Sequence, residues 1–419
     1  MKSVDRRNFL AIAGDFMFFG IGLSFASQTT VLPSFVATLT RSAPLIGLVS
    51  TLATGGWLLP QIFAANAIAG KPRRKASVLV PAAASRVLFL ALGPLMLLLA
   101  PRRPAAALAT FFSLYFLFYV LDGIASVSWL DIMGKSLAPG LRARLISVGQ
   151  AGSGIAGVGA GILVGIILSS RRLPYPSNYA LLLFLCAVML VLSVVSFAFM
   201  KEEPEHTGAR PLPWPDYFRR LWQVLRVDGD FRRAVIVQLL FSLTGVATPF
   251  YVIHGLGSLG FGELSVGIFT SAQVAGGVLS ALFMGHVGER RGTRAVMRIW
   301  GGMSLATPLL ALAVPLAAPL LPPDALMYVY AIVFVIVGAQ ANSVMAGFIN
   351  YVLEFAPASD RAMYSGFANT ASGISLFAPL IGGALLAATG SYPALFIAAA
   401  VGPLAGLALS LRLVEPRHR

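Results

Sequence analysis

Residues 177–200 read SNYALLLFLCAVMLVLSVVSFAFM, twenty-four positions without one charged side chain. An α-helix rises about 1.5 Å per residue, so this run can cross a hydrocarbon layer about 30 Å thick. In that layer the backbone has no water to bond, and a helix satisfies its own N–H and C=O groups. Outward from this stretch, similar runs recur between Pro, Gly and charge clusters. They lie near 9–39, 43–69, 76–100, 104–134, 141–169 and 177–200, then near 231–257, 264–287, 293–320, 325–355, 360–389 and 391–412. The reading is an all-α membrane protein with twelve transmembrane helices in two six-helix, pseudo-symmetric bundles, 1–200 and 231–419, joined by a cytoplasmic linker, 201–230.

Composition agrees with this. Of 419 residues, 57% are hydrophobic and 11% charged, and mean hydropathy is +0.82. A soluble domain carries about 25% charged residues. The net charge of +15 is spread over short loops, not one face, which argues against nucleic acid as a partner. Cys186 is the sole cysteine, so no intrachain disulfide forms, and it is expected as a small buried filler. The stretch Asp5-Arg6-Arg7-Asn8-Phe9-Leu10 resembles a twin-arginine export signal. Asp15 interrupts the apolar stretch behind it, so Arg6 and Arg7 are expected to anchor the first span at the cytoplasmic surface.

Orientation follows from the basic residues. With the N-terminus inside, 25 of the 31 Lys and Arg fall in inner segments and five (Arg41, Arg102, Arg103, Arg171, Arg172) in outer ones. Arg86 alone lies within a span. That bias predicts cytoplasmic N- and C-termini in a multi-pass protein of the bacterial inner membrane. Within the linker, Phe218, Leu221, Trp222 and Leu225 recur at helical spacing beside Arg219 and Arg220. This spacing predicts a short amphipathic helix on the inner leaflet.

The chain repeats itself weakly. At a shift of 220, Gly47, Gly56 and Arg74 fall on Gly267, Gly276 and Arg294; at 219, Arg142 falls on Arg361, Asp131 on Asn350 and Ser153-Gly154-Ile155 on Ser372-Gly373-Ile374. Half-to-half symmetry of this kind is how many secondary transporters are built, with the two bundles rocking about a midplane site. The segment Gly285-His286-Val287-Gly288-Glu289-Arg290-Arg291-Gly292-Thr293-Arg294, between spans 8 and 9, resembles the cytoplasmic loop signature of the major facilitator superfamily, with Glu289 where an Asp is usual. The matching first-half loop, Ala69-Gly70-Lys71-Pro72-Arg73-Arg74-Lys75, keeps the basic end and lacks the acid.

The resemblance implies that these loop cations clamp acids at neighbouring helix ends. Asp131, at the end of span 4, would serve Arg73 or Arg74; Glu354, at the end of span 10, would serve Arg290 or Arg294. The alternative is that these charges only anchor helix ends among headgroups. Span 5 carries Gly149, Ser153, Gly157, Gly161 and Gly165, each four apart and therefore on one face. Such a stripe lets another backbone approach closely. The resemblance implies the seam between halves; packing inside one half is the alternative. Pro379-Leu380-Ile381-Gly382-Gly383 resembles the superfamily's antiporter signature but lies in span 11, not span 5, and carries no argument for antiport.

An ionisable group deep in hydrocarbon is paired, faces water, or works. Asp15, Arg86 and Asp122 are the deep ones, and Arg86 and Asp122 sit at one depth on spans joined by a short loop. They are read either as a fixed pair or as a proton and substrate site, with Asp15 a second proton candidate because nothing in the sequence pairs it. The resemblance implies a cavity lined by spans 1, 4, 7 and 10. Its polar lining would then be Gln28, Thr29, Thr30 and Tyr119 in the first half and Gln238, Thr244, Thr248, Gln340, Asn342 and Asn350 in the second. Such a lining suits a neutral or amphipathic solute. His254, near the outer end of span 7, is expected at the surface.

The expected activity is secondary transport of a small organic solute by alternating access, coupled to protons, with efflux the favoured direction. The chain's partners are then the solute, the lipid bilayer and protons, and a monomer is expected to suffice. The rivals are an uncoupled facilitator and, in another class, a membrane-embedded enzyme or non-transporting sensor. No ligand-spaced metal cluster, nucleophile elbow or Walker loop stands in the sequence, so no enzyme, cofactor or metal is expected.

Overall fold

A computed structural model describes residues 3–68, 71–137, 139–204, 226, 228–356, 364 and 373–416. Among these, eleven helical stretches are long and apolar enough to cross a membrane, and Gly373–Thr389 is a shorter apolar one. The expected amphipathic helix at 214–225 lies outside the described residues.

The first half holds α1 (Ser3–Phe25), α2 (Val31–Leu39), α3 (Ala43–Ile68), α4 (Lys75–Leu99), α5 (Pro104–Ser136), α6 (Pro139–Leu168) and α7 (Ser177–Ala198). The second holds α8 (Gly229–Ser242), α9 (Phe250–Gly257), α10 (Leu264–Arg291), α11 (Thr293–Ala313), α12 (Pro323–Ser343), α13 (Asn350–Phe355), α14 (Ala378–Thr389) and α15 (Tyr392–Ser410). Two compact units emerge: 1–41 with 52–211, and 42–51 with 212–419.

Three runs read as single spans are interrupted, each for a local reason. Span 1 breaks between Phe25 and Val31. There the Ser27 hydroxyl bonds Thr29 Oγ1 at 3.1 Å and accepts from the Thr29 N–H. Hydroxyl residues offer the backbone such alternatives to the helix ladder, and Pro33 withholds one N–H from it. Span 7 passes through a 3₁₀ turn, Leu243–Val246, between α8 and α9, which contains Gly245 and is followed by Pro249. Span 10 widens into a π-helical turn, Val344–Ile349, between α12 and α13. Conversely, the expected loop 285–294 is helical almost throughout: α10 runs to Arg291, and Gly292, at φ 81°, makes the turn. Only glycine adopts that conformation without strain.

Within each unit two helices cross backbone to backbone over a reciprocal pair of glycines. In the first, a Cβ on Gly56 of α3 would lie 2.9 Å from Tyr119 Cβ, while one on Gly123 of α5 would strike the Trp57 carbonyl. In the second, Gly276 of α10 faces the Val335 carbonyl and Gly338 of α12 the Gln273 carbonyl. The repeat of Gly56 and Gly276 thus marks equivalent crossings. Gly382 of α14 likewise admits the Val246 carbonyl, which gives that glycine motif a packing role.

The small-residue stripe of α6 packs inside the first unit. A Cβ on Gly149 would lie 2.7 Å from the Phe16 ring, and one on Gly20 would lie 2.8 Å from Ser153 Cβ. At Gly149 and Ser153 the stripe therefore seats α1, as the packing alternative expects. Gly157, Gly161 and Gly165 are buried. On its other side α1 is stapled to the end of α7. Asn8 and Lys201 exchange two bonds of 2.9 Å, Ser196 donates to the Ala11 carbonyl at 2.9 Å, and Arg7 donates to the Phe199 carbonyl at 2.6 Å.

Candidate proton and transport site

The three deep charges gather in the first unit. Arg86 of α4 donates to Asp122 of α5 at 2.5 Å and to Ser85 Oγ at 2.7 Å. Its guanidinium lies 5.4 Å from the Phe19 ring centroid and 5.7 Å from that of Phe118. Both members are buried, at 5% and 7% exposure. The flanking rings give the cation a favourable quadrupole while excluding water. The Arg86 Nε is buried with no hydrogen-bond partner.

Asp15 is not unpaired, as its sequence context had suggested. Trp129 Nε1 donates to its Oδ2 at 2.6 Å and Ser193 Oγ to its Oδ1 at 2.5 Å. Trp129 sits on α5 seven residues after Asp122, and so on the same helical face. That spacing was a readable signal for Trp129. Ser193 lies in the uncharged run of α7, where nothing singled it out. Arg86 and Asp122 are the charges within electrostatic reach of Asp15.

At the basic end of the first unit, Arg74 forms an ion pair with Asp131, while Arg73 is exposed. A second acid, which sequence reasoning missed, closes this end. Glu202 accepts from the backbone N–H groups of Arg74 at 2.6 Å and Lys75 at 2.7 Å, and pairs with Lys135 Nζ at 2.6 Å. It caps the N-terminus of α4, where the helix dipole favours an anion. Burial pushes its carboxyl up, but the Lys135 bond and the two N–H donors outweigh this and hold it below the ordinary range. Lys75 Nζ reaches the Ala198 and Met200 carbonyls at 2.7 and 2.6 Å, the C-terminal end of α7, where a cation is favoured.

The second unit closes its basic end in the same way with different residues. Arg298 donates to the Ser410 and Leu411 carbonyls at 3.2 Å, and Arg294 to that of Leu413 at 3.4 Å. The carboxylate that Arg294 meets is Glu415, at 3.8 Å, not the expected Glu354. Glu354 accepts from Thr293 Oγ1 at 2.9 Å. Glu415 lies against Gly292, where a side chain would collide with its carboxylate. A readable signal existed: an acid stands just before a proline after the last span of each half, Glu202 two residues before Pro204 and Glu415 directly before Pro416. Glu289 and Arg290 lie in the last turn of α10.

The polar residues expected to line a cavity divide. Gln28 is exposed at the break after α1, while Thr29 and Thr30 are buried there. Tyr119 is buried and ends a ladder of rings with Phe111 and Tyr115. In the second unit Gln340 is bound into α11: it donates to Thr307 Oγ1 at 2.6 Å and accepts from Ser304 at 3.3 Å. It fastens α12 to α11 and is half-buried. Gln238 is buried and donates to Ser242 at 3.3 Å. Thr244 is buried, Thr248 half-buried and Asn350 exposed; the Asn342 side chain lies outside the described ones.

His254 is also corrected. It is 6% exposed, not at the surface. Its Nδ1 lies 3.1 Å from the Tyr330 hydroxyl, which itself donates to the Tyr251 carbonyl at 3.0 Å, so Nδ1 carries the proton. Tyr392 and Phe396 pack on its ring.

Residues 234–419 match the family model of the Major Facilitator Superfamily. Over the whole length the fold is that of solved transporters. A D-xylose–proton symporter superposes with a TM-score of 0.73 at 15% identity, covering 100% of both chains. A nucleoside transporter does so with a TM-score of 0.68 at 13% identity, covering 98% of this chain and 100% of the other. The E. coli xylose transporter in its inward-open conformation gives 0.68 at 14% identity, covering 96% of this chain and 95% of the other. Among curated proteins no sequence matches the chain.

Proposed function

On a multi-pass membrane chain with the fold of the major facilitator transporters, we propose a proton-coupled secondary transporter that moves a small organic solute by alternating access. It sits in the bacterial inner membrane with both termini in the cytoplasm and works as a monomer, and export of amphiphiles is its favoured direction. The observation that carries this reading is the buried cluster of Asp15, Arg86 and Asp122, drawn from α1, α4 and α5. Charges at such depth are costly and are retained where they bind ions or substrates. The similar solved proteins include a D-xylose–proton symporter and a nucleoside transporter, so D-xylose and a nucleoside join the amphiphiles in the first screen.

The test has two stages. D-xylose, uridine and a library of amphiphilic solutes are screened by thermal shift on the purified chain at two pH values, since a bound ligand stabilises by mass action. Solutes that bind are then assayed for transport in vesicles with and without a pH gradient. The expected result is gradient-driven transport that Asp15→Asn abolishes while solute exchange survives. Driven transport unchanged in Asp15→Asn rejects the proton assignment. A second reading, an uncoupled facilitator, draws on the hydrogen bonds that engage both oxygens of Asp15; it expects transport indifferent to the gradient.

A further inference from the structure

Proton-coupled transport, as proposed above and on which this inference rests, needs a carboxyl whose surroundings satisfy it both charged and neutral. The two buried acids differ in this respect. Asp122 holds Arg86, a group with no acceptor capacity that stays charged at any accessible pH. Protonating Asp122 would strand a buried guanidinium, one of the costliest losses a protein interior can suffer. Asp15 instead meets two neutral donors, one on each oxygen.

We infer that Asp15, not Asp122, takes the proton, and that Ser193 is the positioning residue that keeps Asp15 hydrogen-bonded in both states. In the ionised state Oδ1 accepts from the Ser193 hydroxyl and Oδ2 from Trp129 Nε1. When a hydronium ion delivers its proton to Oδ1, one water is released. The new O–H then donates to Ser193 Oγ. The Ser193 hydroxyl rotates, and its hydrogen turns to a backbone carbonyl one turn earlier in α7, as helical serines do. Trp129, a donor only, stays on Oδ2 throughout. No other bond forms or breaks.

The titratable groups facing Asp15 fit this assignment. Helix α4 brings Arg86 and α5 brings Asp122, while α7 brings the neutral Ser193. Helix α6 presents Gly149 and Gly152, against Phe16 and Met17, and adds no charge there. The hydroxyl that answers the proton is therefore on α7, the helix that ends beside Glu202 and the basic-end network.

The test needs no transported solute. The full chain is reconstituted in phosphatidylethanolamine–phosphatidylglycerol vesicles and titrated with protons, while infrared difference spectroscopy follows the C=O stretch of a protonated carboxyl. A band that titrates in the native chain is expected to vanish in Asp15→Asn. In Ser193→Ala its midpoint is expected to rise by about one pH unit, because the bond to the ionised carboxylate is stronger than the bond from the neutral acid, and in Ser193→Thr, which keeps the hydroxyl, to return. Should the alanine variant not fold, Ser193→Cys, with a weak donor and acceptor, replaces it. A midpoint equal to the native one in Ser193→Ala, or equally displaced in Ser193→Thr, overturns the role of Ser193 and leaves the proton-coupled reading standing. A band that persists unchanged in Asp15→Asn overturns the assignment of the proton to Asp15, whereas a native chain with no titrating band overturns the proton-coupled reading itself.

Discussion

Replacing Glu202 with glutamine should loosen the basic end of the first unit by an amount that can be worked from its contacts. The carboxylate, 3% exposed, pairs with Lys135 Nζ at 2.6 Å and receives two backbone N–H groups at 2.6 and 2.7 Å. A glutamine carbonyl can keep one of the three donors, and its amide nitrogen turns a donor toward the rest. Hydrogen bonds to charged groups contribute about 1.5–3 kcal/mol each, and stranding one member of a buried ion pair costs about 3–5 kcal/mol. Lys135 retains Asp131 at 4.0 Å, which places Glu202→Gln near the lower end, about 3 kcal/mol. At about 2–4 °C per kcal/mol for units of this size, the melting transition should fall by roughly 6–12 °C. A thiol-reactive dye reads it directly, because Cys186 is the sole cysteine and is fully buried.

The pH dependence has a defined sign. The carboxyl of Glu202 titrates below its ordinary value of 4.5 in the folded chain, so its contribution is complete at neutral pH. It fades as pH falls below that ordinary value and is gone once the folded carboxyl is protonated. Native and Glu202→Gln chains should therefore converge in acid. That series is best followed by tryptophan fluorescence, because a thiol reacts slowly in acid. Equal transition temperatures at neutral pH, or a difference that persists undiminished in acid, would refute the reasoning.

Three further outcomes are expected. Gly338→Ala drives a Cβ into the Gln273 carbonyl, a backbone atom that cannot rotate away, and should cost about 1–3 kcal/mol. Gly302→Ala in α11 meets nothing within 4 Å and should be neutral or stabilise by up to about 1 kcal/mol through helix propensity; dye-detected melting separates the pair. Tyr330→Phe removes a buried hydroxyl that bonds both His254 and the Tyr251 carbonyl, and should lower stability by about 1–3 kcal/mol on the same assay. Arg74→Gln leaves Asp131 only Lys135, at 4.0 Å, and should lower the dye-detected transition, whereas Arg73, exposed, should tolerate glutamine with a change below about 0.5 kcal/mol.

Much of the architecture could be read directly because its cause is local. A run such as 177–200 has no alternative to a buried helix in an apolar solvent, so the membrane class and most span positions follow from residue order. The pairing of Arg86 with Asp122 was readable too, since two charges at one depth on adjacent spans have few other partners. Breaks inside spans were harder. Ser27-Gln28-Thr29-Thr30 and Gly245 to Pro249 carry the right composition, but a helix of 23 to 30 residues tolerates such groups where its neighbours satisfy them.

What remained hidden depends on partners far apart in the chain. Asp15 and Ser193 are separated by 178 positions, and Arg74 N and Glu202 by 128. A glycine's value lies in the carbonyl opposite it, as with Gly338 and Gln273, and a glutamine's role lies in which helix it reaches, as with Gln340 and Thr307. Helix formation answers to neighbours three or four residues away. Hydrogen bonds between helices answer to rotation and depth, which packing alone sets. For that reason the membrane-spanning architecture was written in residue order, while the donors that surround its buried acids came into view only once the helices were packed.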